Sequence, residues 1–321
     1  MRLRLLPALL LSTACAASTG SPGTENDALG ESEDEIRPAA VDALSGMPLP
    51  IPEVSGLGQR RIGSATKYLA VGDSSPSLVT FSVGREGRVR DVETHDLSHL
   101  FGKRASQWEA VAGDGAGRVF ILAESTNTIS VLDPALRRIT HRLELVIPKK
   151  HALAADWAAD ANSRGEGLVL LANGHVLVAK EKRPSAIVEF GPEGASPEGF
   201  RPELALGGAA FRLPKEGTSA LVPLKHWFLK DKDTRLIGDV SDLALDAEGR
   251  LFLLSDQGRA VARIERKLDV DESKIDLEAV YKLPARIAKP EGLTFAGGQP
   301  FVATDEKDVG TDVLFGLEPL E

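Results

Sequence analysis

The sequence has too few of the residues that build a disulfide framework, a helical bundle or a membrane protein. It has 321 residues but a single cysteine, Cys15, so neither an internal disulfide nor a cysteine-based metal site is possible. Aromatic residues make up 5 % of the chain, whereas glycine and proline number 31 and 19. This composition favours many short strands and turns over a helical bundle. Beyond the N-terminus, no apolar run approaches the ~20 residues of a membrane-spanning helix.

Basic residues are also in deficit. Lys and Arg number 38 against 47 Asp and Glu, which gives a formal net charge of −9. A mildly acidic body without a basic stripe argues against nucleic-acid binding, so a cation or a basic ligand is the more natural partner. The sequence contains no HExxH motif, no G-x-S-x-G nucleophile elbow, no Walker loop and no EF-hand loop. Catalytic signals are therefore weak, and the sequence favours a protein that is not an enzyme.

The N-terminus has the pattern of an export signal. Two arginines within residues 1–4 precede the apolar run 5–11, and small residues lead up to Cys15. This order is typical of a bacterial lipoprotein signal over residues 1–15, with Cys15 as the acylated first residue of the mature chain; an ordinary secretory signal cut nearby is the alternative. Both interpretations place the protein in the bacterial cell envelope, and the first anchors it to a membrane. The acidic, Ser/Gly/Pro-rich residues 16–50 predict a disordered linker, which leaves 51–321 as the folded domain.

One pattern is repeated five times from residue 51 onward. An apolar anchor residue begins a strand, a glycine-containing turn follows, and a second, almost continuously apolar strand ends near an acidic residue. The anchors recur roughly every 50–75 residues, and four short antiparallel strands per ~50 residues is the period of a propeller blade. They are Leu57, Val111, Leu168, Leu243 and Leu293. We predict an all-β protein, a β-propeller with five visible blades and five or six overall, since 200–232 is either a degenerate blade or an insertion.

Acidic residues occupy equivalent positions in the last four repeats. One set stands two residues before the anchor, and another stands twelve or thirteen residues after it. The first strand of a blade begins where the second ends, so these side chains are predicted to converge on one mouth of the central channel and to face each other in pairs, unless a bulge shifts a pair by one residue. The candidate metal ligands are Glu109, Glu124, Glu166, Glu181, Asp256, Glu291 and Asp305.

Facing carboxylates repel each other by roughly 0.2–1 kcal/mol per cross-strand pair, so something must offset the repulsion. A hard cation is one candidate, because Ca²⁺ accepts many oxygen ligands in flexible geometry. Internal salt bridges are another, because Arg164, Lys180, Lys182 and Lys289 stand beside the acids. A third is that the glutamates accept backbone N–H bonds. The sequence leaves these alternatives open.

The repeat phrases resemble a known family. EVSGL with AVGD, QWEAVA, RGEGL followed by VAKEKRP, DVSDLALD with LFLLSD, and KPEGLTF are similar to the SdiA-regulated family of exported bacterial β-propellers, over about residues 50–318. The phrase NSRGEGL is similar, more loosely, to the phytase-like propeller domain. The first resemblance implies a calcium-linked envelope protein without an established reaction, and the second implies metal-dependent hydrolysis of phosphate esters. Ser241 departs from the pattern, because an acid is expected there.

These observations give three functional hypotheses. The first is a non-catalytic, lipid-anchored propeller that binds Ca²⁺ or another cationic ligand at its acidic mouth. The second is a metal-dependent phosphoesterase, in which Lys180, Lys182 and Arg183 would hold the substrate phosphate beside Glu181. The third is a platform for protein partners, which a propeller permits equally well.

Overall fold

The computed structural model describes residues 36–104, 106–160, 162–215 and 217–321. These residues form five four-stranded antiparallel blades around a central channel. The innermost strand of each blade contacts the innermost strand of the next, and the fifth contacts the first, so the ring is closed. The predicted all-β propeller is therefore confirmed, with five blades.

The strands follow the chain from blade 1 to blade 5. Two short strands come first, β1 (Ala39–Ala40) and β2 (Ala43–Met47). Blade 1 contains β3 (Val54–Ile62), β4 (Ala65–Gly72), β5 (Ser77–Val83) and β6 (Val89–Asp96). After helix α1 (Ser98–Phe101), blade 2 contains β7 (Trp108–Gly113), β8 (Val119–Ala123), β9 (Thr128–Leu132) and β10 (Ile139–Leu145). After helix α2 (Ala154–Ala159), blade 3 contains β11 (Leu168–Leu170), β12 (Val176–Lys180), β13 (Ala186–Gly191) and β14 (Gly217–Leu229).

Blades 4 and 5 complete the ring. Blade 4 contains β15 (Asp242–Leu245), β16 (Leu251–Ser255), β17 (Ala260–Ile264) and β19 (Leu277–Lys282). The short strand β18 (Lys274–Ile275) precedes β19 and pairs with β14 of blade 3. Blade 5 contains β20 (Pro290–Ala296), β21 (Gln299–Thr304) and β22 (Leu314–Leu317). Short 3₁₀ turns occur at Arg85–Gly87, Pro202–Leu204 and Asp233–Arg235.

The fourth strand of blade 5 comes from the N-terminal side of the chain. Strand β2 pairs antiparallel with β22, and β1 adds to β19 at the edge of blade 4. The prediction of a disordered linker over residues 16–50 is therefore wrong for residues 39–47. These strands are short and built of small residues, so they have no apolar run of their own; the exposed edges of β22 and β19 supply their hydrogen bonds. The predicted signal over residues 1–15, with Cys15, lies outside the described residues.

The long segment between the third and fourth anchors is an insertion rather than a sixth blade. Its last part is β14, the outer strand of blade 3, which also pairs in parallel with β10 and so joins blades 2 and 3 at their outer edges. Its first part crosses the lower end of the propeller, where Ala205 bridges to Leu171 and Phe200 to Leu268. The first part of the insertion thus lies at the end of the channel opposite the acidic residues.

Apolar packing between blades holds the ring together. Within the part of the chain that the structure describes, buried hydrophobic side chains form five clusters, and each cluster contains one of the five anchor residues. The second strands β8 and β16 are buried along almost their whole length, as expected for strands covered on both faces. Burying one such aliphatic side chain contributes roughly 1.5–3 kcal/mol, so the repeated anchor is the main sequence signal of the fold.

Candidate functional site at the acidic mouth of the channel

A β-bulge interrupts the first strand of every blade at its mouth end. In blades 1, 2 and 5 the cross-strand register skips one residue there. In blades 3 and 4 two successive residues face a single partner on the second strand. A bulge turns a side chain away from the regular alternation of a strand. The bulged residues are Ser55, Glu109, Glu166, Ser241 and Glu291.

These bulges correct the predicted facing pairs. The backbone N–H of Glu124 donates to the carbonyl of Gln107 at 3.1 Å, so Gln107, not Glu109, stands opposite Glu124. In blade 3, Glu166 and the next residue both bond to Ala179. The bulge rather than direct cross-strand pairing therefore sets the glutamates at the mouth.

The two serines at bulge positions join neighbouring blades. The hydroxyl of Ser241 donates to the carbonyl of Pro290 at 2.9 Å, and the hydroxyl of Ser55 donates to the carbonyl of Trp108 in the same way. Each accepting carbonyl belongs to the residue just before the bulge of the next blade. Ser241, which replaces the expected acid, thus fixes the junction of blades 4 and 5 and adds no negative charge.

Small residues follow the bulges because the inner strands approach each other closely. A Cβ atom at Gly167 would lie 2.5 Å from the backbone nitrogen of Leu243. Blade 4 has Asp242 at the equivalent position, and its buried carboxylate accepts the N–H groups of Leu243 and Leu293, each at 2.7 Å. Asp242 therefore joins the inner strands of blades 4 and 5 immediately below the ring of bulged residues.

The three bulge glutamates form the inner part of the mouth. Burial first, and then the nearby carboxylates of Glu124 and Asp73, raise the pKa of Glu109 to about 9. Burial first, and then the neighbouring acids, also holds the pKa values of Glu166 and Glu291 well above 4.5. Within the described ranges, none of the three forms an ion pair with Lys or Arg. Burial and mutual repulsion therefore disfavour the ionised form of all three carboxyl groups.

The predicted acids from the second strands form the outer part of the mouth, and two of them have lysine partners. Lys182 Nζ lies 2.5 Å from Glu181 Oε1, and Lys289 Nζ lies 2.8 Å from Asp305 Oδ2. The other oxygen of Glu181 is buried without a hydrogen-bond partner. Salt bridges with lysine therefore offset two of the four outer acids.

The remaining two outer acids are neutralised less completely. Glu124 Oε1 accepts the backbone N–H of Arg164 at 2.8 Å, while burial raises the pKa of its carboxyl. Burial also raises the pKa of Asp256, while the positive charge of Lys289 lowers it in part. All seven predicted acids thus lie at the mouth, at different depths.

Three further acids that were not predicted as ligands also lie at this mouth, namely Glu53, Asp73 and Asp239. Burial, with Glu53 and Asp305 nearby, raises the pKa of Asp73, whose Oδ1 has no hydrogen-bond partner. Burial also raises the pKa of Asp239, which accepts bonds from Ser255 and Gln257. The acids of blade 1 follow a longer first hairpin, so they do not stand at the same distances from their anchor Leu57 as the acids of the other blades.

The three basic residues of the phosphoesterase hypothesis have separate partners. Lys180 is buried and its Nζ donates to the carbonyl of Lys182, whose own amine faces Glu181. The Arg183 side chain is 79 % exposed and lies 3.9 Å from Asp160. Each of these three basic side chains therefore faces a different protein group, and they do not converge on one phosphate site.

The acids at the mouth are not arranged as a preformed metal site. Over the described part of the chain, no group of three or more His, Cys, Asp or Glu side chains is arranged to hold a metal ion. A metal would therefore require these side chains to rotate. The mouth nevertheless concentrates carboxyl groups, and those of the three bulge glutamates lack basic partners among the described residues.

Comparison with known proteins identifies the family. A family model described as SdiA-regulated matches residues 53–299. The chain belongs to the SdiA-regulated family. The match includes the inner strands of all five blades and all the predicted acids except Asp305. A search of curated proteins finds no match for this SdiA-regulated protein.

Several solved structures resemble this family member in outline. A calcium-binding protein, regucalcin, from Agrobacterium tumefaciens str. C58 is 14 % identical, with a TM-score of 0.46, covering 88 % of this chain and 94 % of that one. A PQQ-bound aldose sugar dehydrogenase from Streptomyces coelicolor is 10 % identical, with a TM-score of 0.45 and coverages of 87 % and 98 %. Virginiamycin B lyase from Staphylococcus aureus is 11 % identical, with a TM-score of 0.39 and coverages of 86 % and 73 %. At these values the similarities carry no argument about ligand or activity.

Proposed function

We propose that this SdiA-regulated protein is a non-catalytic propeller that binds a cation at its acidic mouth, either Ca²⁺ or a basic organic ligand. The observation that carries the proposal is the set of three bulge glutamates, Glu109, Glu166 and Glu291. They converge from three blades, and no basic side chain of the described residues pairs with them. Burial and mutual repulsion disfavour their ionised form, and a nearby cation favours it.

Displacement of protons gives the binding a definite pH dependence. An opposite charge nearby favours the ionised form of a carboxyl, so a cation at the mouth lowers the pKa values that burial has raised. We therefore expect cation affinity to increase from pH 6 to pH 9. Ca²⁺ tolerates irregular oxygen geometry, which suits a mouth whose carboxylates must rotate toward the ion. A flexible polyamine would require less rotation, because its charges are spread along the molecule.

Isothermal titration calorimetry tests this proposal. Ca²⁺ and spermidine are titrated separately into the wild-type protein and into Glu166→Gln and Glu291→Gln, with Glu144→Gln, an exposed residue of β10, as the control. We expect binding of at least one cation to wild type and to the control, and at least tenfold weaker binding to the two mouth variants. Absence of binding of either cation at millimolar concentration would contradict the proposal.

We also propose that the protein is exported to the bacterial cell envelope and held there by a lipid on Cys15. The support is the order of basic, apolar and small residues before the only cysteine of the chain. Within the described residues, no helix is both long and apolar enough to cross a membrane. Labelling of cells with radioactive palmitate should mark the wild-type protein but not Cys15→Ser, and labelling of both would argue against this site.

A phosphoesterase has less support from the site. The cationic groups of Lys182 and Arg183 face Glu181 and Asp160 rather than a common point. Release of inorganic phosphate from a panel of phosphate esters in the presence of Ca²⁺, abolished by Glu181→Gln, would overturn the non-catalytic proposal.

A further inference from the structure

Exposed arginines are concentrated at the lower end of blades 1 and 2, opposite the acidic mouth. Strands β3, β5 and β9 end there, and β4, β6 and β10 begin there, so the turns between them bring their charged residues to one end of the propeller. We call this set the arginine patch. Its six members are Arg61, Arg85, Arg88, Arg90, Arg137 and Arg138, and all of them are exposed.

Hydrogen bonds hold the lower turns of the two blades together. The Nη1 atom of buried Arg60 donates to the carbonyls of Gly117 and Pro134 at 3.0 Å each, which fixes the end of β3 against blade 2. Pro134 belongs to the same turn as Arg137 and Arg138. The arginines of blade 1 and those of blade 2 therefore lie on neighbouring turns.

Most of the arginine patch has no acidic partner. Arg88 lies 3.5 Å from Glu86, and Arg138 lies 3.8 Å from Asp133, each within its own turn. The other four arginines form no ion pair with any residue that the structure describes. The patch therefore carries positive charge at the surface of a protein whose overall charge is negative.

An exposed aliphatic side chain stands beside these arginines. Ile62 ends β3 next to Arg61 and is 47 % exposed. A Cβ atom at the following Gly63 would meet nothing within 4 Å, so the tip of this hairpin projects into solvent. Basic side chains around an exposed apolar one are typical of surfaces that bind the headgroup region of an anionic membrane.

The acidic mouth is too far away to cancel this attraction. Strand β5 of blade 1 has seven residues and therefore spans roughly 23 Å from one end to the other. Ions at physiological strength screen exposed charges beyond about 8 Å. An anionic surface at the lower end therefore interacts with the arginine patch and not with the mouth.

We propose that the arginine patch docks the protein on an anionic phospholipid surface, with guanidinium groups at the lipid phosphates and Ile62 among the headgroups. The guanidinium fork matches the paired oxygens of a phosphate. The proposal takes the envelope location from the proposed function, but it depends neither on the lipid at Cys15 nor on the cation site. Docking in this way leaves the acidic mouth facing away from the membrane, where it is open to a soluble cation.

Sedimentation with lipid vesicles tests the docking. Every protein is the full chain with Cys15→Ser, so no acyl chain contributes and the outcome is separate from the palmitate experiment. We expect at least tenfold tighter binding to vesicles of phosphatidylcholine and phosphatidylglycerol, mixed about 3:1, than to pure phosphatidylcholine vesicles. About 0.5 M NaCl should abolish the difference, because salt screens exposed charges. Equal binding to both kinds of vesicle at low salt would overturn the proposal.

Substitution of unpaired arginines locates the docking surface. One arginine near an anionic bilayer raises the affinity roughly fivefold, so a variant with Arg61→Gln, Arg85→Gln and Arg90→Gln together should bind the anionic vesicles at least thirtyfold more weakly. All three side chains are exposed, so the variant should fold like wild type, which its thermal melt verifies. Unchanged vesicle binding by this variant would overturn the proposal.

A second triple variant is the matched control. Arg104→Gln, Arg235→Gln and Arg259→Gln remove the same charge from exposed positions at the mouth end, and vesicle binding should stay unchanged. An equal loss in both triple variants would show that only net charge matters and would overturn the assignment to the patch. Ile62→Ser should weaken binding to anionic vesicles at least threefold, because an apolar contact with the headgroups is lost. Wild-type affinity in Ile62→Ser would overturn the placement of Ile62 among the headgroups.

Discussion

Replacement of Glu109 by glutamine should stabilise the protein, and the gain should grow with pH. Burial and neighbouring acids raise the pKa of Glu109 from 4.5 to about 9. Between these two values the unfolded chain has released this proton while the folded protein still holds it. Because the folded state binds the extra proton, its stability is highest below pH 4.5 and falls as the pH rises toward 9. Glutamine has the shape of the protonated acid and does not titrate.

The magnitude follows from the size of the pKa shift. One group fully held in its protonated form lowers stability by about 1.4 kcal/mol per pH unit above its ordinary pKa, or about 5 kcal/mol at pH 8. Glu109 is only half-buried, and the neighbouring acids can relax, so we expect a net gain of about 2 kcal/mol at pH 8 for Glu109→Gln. At pH 5 the same substitution should change stability by less than about 0.7 kcal/mol.

Urea denaturation at pH 5, 6, 7 and 8 measures this difference, with Glu144→Gln on the outer strand of the same blade as the matched control. The control should show no pH-dependent gain, because Glu144 is exposed. A loss of stability in Glu109→Gln that is equal at all four pH values would refute the reasoning. It would mean that the ionised carboxylate, not the protonated form, stabilises the fold.

Three further substitutions test how the fold is held around the channel. Buried Glu189 lies 2.6 Å from His175 Nδ1 and accepts two backbone N–H groups, so Glu189→Gln should lower the free energy of unfolding by about 2 kcal/mol. An unchanged urea midpoint would show that these hydrogen bonds do not stabilise the fold. Asp242→Asn should lower the free energy of unfolding by about 1–3 kcal/mol, since an amide presents N–H to backbone donors; a stabilised variant would argue that the carboxylate is not needed there. Gly167→Ala should cost about 1–3 kcal/mol, because its Cβ would lie 2.5 Å from Leu243 N, and thermal melts equal to wild type would contradict this close approach.

The blades could be predicted from the sequence because their anchors and second strands are buried between neighbours. Leu57, Leu243 and the other anchors recur with regular spacing, and each fills one inter-blade cluster. Strand β2 could not be predicted in this way, because its stability comes from the edge of β22, which lies far away in the chain. The predicted domain boundary at residue 51 therefore lies after the first two strands of the fold.

The sequence indicated which acidic residues lie at the mouth of the channel, but not how their side chains are arranged there. The recurring offsets of Glu109, Glu166 and Glu291 indicated convergence, and the structure brings these side chains to one end. The bulges that place them have no fixed residue type, since serine and glutamate both occur at them, so the sequence could not specify the register. The pairing of Glu181 and Asp305 with lysines, while the inner glutamates have none, depends on depth in the channel, which residue spacing does not encode.

Crystallography on crystals soaked in terbium, as a substitute for Ca²⁺, or in spermine tests the central claim most directly. We predict anomalous or difference density at the mouth, with a bound cation in contact with carboxylate oxygens from at least two of Glu109, Glu166 and Glu291. An empty mouth in both soaks, or a cation found only at other surface acids, would contradict the proposal that this propeller binds a cation there.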